Sequence, residues 1–104
     1  MASVTVMSRQ PPGGRCSLYM RYAQTLQEAL GLACDVRYCD AADAVPPPAM
    51  LICDVLVAPS DGVIVSPEDI TRSLGEQLGA ARAAEMRALL EQTQERWMEE
   101  WRNA

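Results

Sequence analysis

The stretch VTVMSRQPPGGRC, Val4 to Cys16, decides the fold. Val4-Thr5-Val6-Met7 is β-branched and alternating, which is how a strand reads. Pro11-Pro12-Gly13-Gly14 breaks it, and Cys16 then stands at the mouth of a helix. Beyond it Leu18, Tyr22, Leu26 and Leu30 recur at helical spacing, with Tyr19 and Ala23 beside them, until Gly31 supplies a stop. Cys34-Asp35-Val36-Arg37-Tyr38-Cys39 returns to a period of two, with Cys34, Val36 and Tyr38 on one face and Asp35, Arg37 and Cys39 on the other. A strand, a helix and a strand joined this way close as a right-handed parallel pair, so residues 4–39 predict a βαβ unit.

Downstream, Pro46-Pro47-Pro48 precedes the apolar run Met50 to Val57, which reads as a strand buried on both faces with Cys53 inside it. Ala58-Pro59-Ser60-Asp61-Gly62 turns the chain into Val63-Ile64-Val65, expected as its antiparallel partner. Ser66 reads as an N-cap, Pro67 as the first helical residue, and Glu68 and Asp69 as the acids that a helix N-terminus favours. Ile70, Leu74 and Leu78 are the face this helix buries. Run unbroken to Trp101 it would be ~50 Å long, too long for a domain of this size, so Gly75 and Gly79 predict a break near 79. The order βαβ then ββα is that of a thioredoxin-like α/β fold with a four-stranded mixed sheet. Residues 1–79 are expected to form that domain, and 80–104 an added amphipathic helix with the stripe Met86, Leu90, Thr93, Trp97 and Trp101. Pro48 stands where such folds carry a cis-proline, and equally where an ordinary trans proline sits in a loop.

The 104 residues make one domain with a modest core from which Phe is absent. A net charge of -5 repels nucleic-acid phosphates and anionic lipid, which excludes both as partners. There is no His, and all nine basic residues are Arg. That removes imidazole acid–base chemistry, His metal ligands, Schiff-base lysines and a P-loop lysine. No run of ~18 apolar residues offers a membrane span, and Met1-Ala2-Ser3 enters a strand without a basic, apolar leader, so a soluble cytoplasmic protein is expected. Cys16, Cys34, Cys39 and Cys53 contain no C-x-x-C, and no disulfides are expected in a reducing compartment. Cys34 and Cys53 read as small core residues.

VTVMSRQPPGGRC, the helix SLYMRYAQTLQEALGL, VRYCDAADAVPP and SDGVIVSPEDITRSL together resemble the thioredoxin-like 2Fe-2S ferredoxins over roughly residues 3 to 78. That family places one cysteine at the end of strand one, a second after a Pro-Gly loop, and a C-x3-C pair after strand two. The resemblance puts Met7, Cys16, Cys39 and Asp43 at those positions, so two of the four cluster cysteines are replaced. A thioether and a carboxylate are poor substitutes for thiolates on an iron–sulfide core. A weaker likeness in element order to the selenoprotein-W-like redox family lacks that family's C-x-x-C pair.

The leading expectation is therefore a non-catalytic accessory or small subunit with a degenerate cluster site and no cofactor. It would dock on a larger protein, or on a second copy, through Met86, Leu90, Trp97 and Trp101. The alternatives are an electron-transfer ferredoxin with an atypical or dimer-shared 2Fe-2S cluster, and a thiol redox protein using Cys16 with Cys39.

Overall fold

The computed structural model describes residues 3–9, 13–38 and 47–103, the side chains at 76, 77, 101 and 103 excepted. β1 (Ser3–Ser8) leads into α1 (Gly14–Leu30), which returns the chain to β2 (Ala33–Tyr38). β1 and β2 pair in parallel, Val4 opposite Cys34 and Val6 opposite Val36, so α1 is the crossover that the sequence predicts. It stops where expected: Gly31 takes a left-handed φ of 68° and its N–H donates to the Gln27 carbonyl.

The apolar run 50–57, expected as one strand, is instead a whole hairpin. β3 (Ala49–Ile52) turns at Cys53-Asp54 and comes back as β4 (Val55–Leu56). Cys53 and Asp54 have φ of 51° and 64°, the left-handed pair of a primed two-residue turn, whose twist suits antiparallel strands. Cys53 is thus a turn residue and not a buried strand residue. Val63-Ile64-Val65, expected as the partner strand, is a loop. Its amides are taken by side chains: Asp61 Oδ1 accepts from Val63 N at 2.8 Å and from Ile64 N at 2.9 Å. The Tyr19 hydroxyl accepts from Val65 N at 3.0 Å. With those donors satisfied, no ladder is needed.

The sheet order is β2-β1-β3-β4, with β3 antiparallel to β1, the mixed four-stranded arrangement of a thioredoxin-like fold. A cis peptide bond joins Pro47 to Pro48 just ahead of β3. The core sets Val4 and Val6 of β1 and Met50 and Ile52 of β3 against Leu18, Tyr22 and Leu26 of α1.

α2 (Pro67–Leu78) opens on a reciprocal cap in which Asp69 N donates to Ser66 Oγ at 3.2 Å and Ser66 N donates to Asp69 Oδ2 at 3.0 Å. It buries Ile70 and Leu74. The helical chain breaks at Gly79, φ 73°, and resumes as α3 (Ala80–Asn103).

α3 packs on both α1 and α2. Met86 is 2 % exposed and Leu90 is fully buried, in the same core cluster as β1 and α1, and Trp97 packs against that cluster. This corrects two expectations: 80–104 is not an appendage to a complete domain, and Met86 and Leu90 do not face a partner. An apolar stripe tethered to the chain meets its own domain without the entropy cost of association, so the intramolecular contact wins. The Trp101 side chain lies outside the described residues.

Candidate functional site

Cys16 sits in the first turn of α1, where unpaired backbone N–H groups and the helix dipole favour negative charge. It is only 1 % exposed. The Arg9 backbone N–H donates to Cys16 Sγ at 3.4 Å, and the Arg9 Nε donates to the Pro47 carbonyl at 3.3 Å. One residue thereby ties the thiol to the cis-proline loop. Burial disfavours the Cys16 thiolate, but hydrogen bonds from the Arg9 backbone, the Ser8 hydroxyl and the Gly13 backbone, together with the Arg9 charge, outweigh it and lower the thiol pKa. Cys16 lines a small cavity of about 140 Å³ together with Arg9, Gly13, Gly14, Arg15 and Pro48.

A larger groove of about 280 Å³ adjoins it, sharing Arg15 and Pro48 and lined otherwise by apolar groups such as Tyr19, Leu56, Val57 and Val63. Arg15 Nη1 donates to the Val63 carbonyl at 3.1 Å across its rim. Asp69 fastens the loop that makes the outer wall. It accepts from Ser60 N at 3.1 Å and from the Ser60 hydroxyl, as well as from the cap amide of Ser66. These bonds, working against burial, hold its carboxyl down at a pKa of about 2.

Of the four positions implied by the ferredoxin resemblance, the structure places two. Cys16 is at the pocket. Met7 alternates with the buried Val6 and Ser8, so it lies on the face of β1 turned away from α1. Ser8 and Arg9 meet Cys16 instead, which corrects the assignment of Met7 to this site. Cys39 and Asp43 lie outside the described residues. A 2Fe-2S core takes four thiolates or near equivalents, and among the described residues Cys16 is the one thiol at the pocket.

Cys34 has a packing role: its Sγ donates to the Ala23 carbonyl at 3.1 Å, and burial pushes its thiol pKa up. Sequence reasoning missed Arg9, Ser8 and Tyr19. The only local signal was an arginine at the strand end before a Pro-Gly loop, and its partner Pro47 is 38 residues away.

Comparison with models of protein families, with curated proteins and with solved structures returned no match. Among the described residues no helix is long and apolar enough to cross a membrane.

Proposed function

We propose that this chain is a small thioredoxin-like thiol protein that acts on protein partners, with Cys16 as its working group and the adjoining apolar groove as the partner's seat. The observation that carries this reading is the Arg9 bridge, a backbone N–H on Cys16 Sγ and a guanidinium on the Pro47 carbonyl. It holds a thiolate-favouring environment against the cis-proline loop, in a cavity that shares Arg15 and Pro48 with the groove. In exchange, the thiolate displaces one sulfur of a partner's disulfide: one S–S bond forms, one breaks, and the released thiolate takes a proton from water.

The test is competitive alkylation of the folded full chain with a small reagent, followed by peptide mass spectrometry across pH. Cys16 is expected to react at lower pH than Cys34 and to form a mixed disulfide with a small aromatic disulfide. Failure of Cys16 to react ahead of Cys34 overturns the reading.

A second reading, the accessory subunit without chemistry of its own, is favoured by the near-complete burial of Cys16. It predicts a Cys16→Ser variant that is indistinguishable from the parent in every partner-binding measurement. The visible spectrum of anaerobically purified protein, with iron and sulfide counted, tests the ferredoxin alternative in the same preparation.

A further inference from the structure

Among the described residues the sheet order leaves β4 at an edge, and the pairing shows which of its groups point away from β3. Val57 N donates to the Met50 carbonyl at 2.9 Å, so Met50 and Val57 form a hydrogen-bonded pair. Antiparallel ladders alternate, so the next pair, Leu51 with Leu56, is not hydrogen-bonded, and the Leu56 N–H and C=O point outward, away from β3. Edge strands are normally guarded by lysine, proline or inward charges. Val55 to Ala58 carries none of these. Instead Val55 is 67 %, Leu56 50 % and Val63 54 % exposed.

We propose that β4 is a homodimer seam, in which two copies of the chain pair β4 against β4, antiparallel, about a twofold axis at Leu56. The edge is self-complementary there, because one residue offers both the donor and the acceptor that its symmetry mate needs. The register that follows sets Val55 of the second copy opposite Val57, which with Pro59 and Val63 walls the apolar groove of about 280 Å³. The exposed Val55 of each copy is thus placed beside the other's Val57, at the β4 wall of the groove, twice by symmetry. The same register sets Asp54 opposite Ala58, so no two acids face each other across the seam. A chain of net charge -5 gains no long-range attraction to its own copy, and a seam whose central residues, Val55 to Ala58, carry no charge is the kind it can use. Two central hydrogen bonds and a few apolar side chains place the contact at the small, concentration-dependent end of interfaces.

The experiment is sedimentation velocity of the full chain over a concentration series, beside Leu56→Pro and Val55→Lys, with circular dichroism on each. Proline at 56 removes the outward N–H, which points away from β3, together with the half-exposed Leu56 side chain. Val55→Lys changes an exposed side chain and guards the edge, so it keeps the test sound if Leu56→Pro fails to fold. We expect the parent mass to double with concentration and the folded variants to stay monomeric. A parent that remains monomeric at millimolar concentration, as a seat for some other strand would require, overturns the proposal. So does a folded Val55→Lys chain that dimerises like the parent.

Discussion

The hydroxyls of Thr25 on α1 and Thr93 on α3 lie 2.7 Å apart, a hydrogen bond across 68 residues of chain. Each also sits on a carbonyl of its own helix, Thr25 on Arg21 and Thr93 on Leu89. One hydroxyl donates across the helix pair while the other gives its proton to its own helix. The Arg21–Glu100 ion pair continues the same contact toward the solvent. This join, together with the burial of Leu90 beneath it, makes α3 a structural member of the domain.

Leu90→Ala should therefore destabilise the protein by about 2–5 kcal/mol, the range for truncating a fully buried leucine. Urea titration should show a lower midpoint with an unchanged slope. A chain ending at Gly79 should lose its cooperative transition. If the truncated chain unfolds as cooperatively as the parent, α3 is dispensable and its place in the core is misjudged.

Two tyrosines one turn apart on α1 should behave in opposite ways. The Tyr22 hydroxyl is buried without a hydrogen-bond partner among the described residues, and burial raises its pKa. Tyr22→Phe removes an unsatisfied polar group and should leave stability unchanged or raise it by about 1 kcal/mol. Tyr19→Phe strands the buried Val65 N–H, which now donates to Tyr19 at 3.0 Å, and should cost about 1–3 kcal/mol. Equal effects in thermal or urea unfolding would contradict this assignment.

Asp69 sets part of the acid sensitivity. Its carboxyl is held at about 2, below the ordinary 3.8, so the ionised form is the one the fold stabilises. The contribution, about 2 kcal/mol, is complete above the ordinary value and is lost as pH falls through 3.8 toward 2. Urea midpoints measured from neutral pH down into that window should fall more steeply for the parent than for Asp69→Asn. Parallel curves would remove Asp69 from the account.

The β3–β4 turn is built from residues that do not favour it. Cys53 and Asp54 hold φ of 51° and 64°, where asparagine and glycine are at ease and a cysteine is not. Replacing them by Asn-Gly should raise stability by about 0.5–1 kcal/mol in thermal unfolding. A loss of stability would mean that the Cys53 side chain contributes more to packing than the turn costs.

What the sequence determined by itself is most of what rests on neighbours along the chain. Period-two alternation from Val4, helical spacing from Leu18 to Leu30, the Ser66 cap and the break at Gly79 all appear in the structure as read, and the strand from Cys34 forms with both faces largely exposed. The helix, its cap and its break depend on bonds spanning a few residues and the alternation on the two-residue period of an extended chain, and the order of these elements then leaves few topologies for the sheet. Tertiary structure decided the rest. The run 50–57 is apolar but for Asp54, so periodicity did not locate a two-residue turn within it, and Cys53-Asp54 carries no glycine to mark one. The stripe Met86–Leu90 is amphipathic whether it meets a partner or its own domain, and only the seam offered by α1 and α2 chose between them. At the candidate site the reason is the same. Cys16 was visible as a residue at a helix mouth, but the Arg9 bridge exists only because folding brings Pro47 to the end of β1.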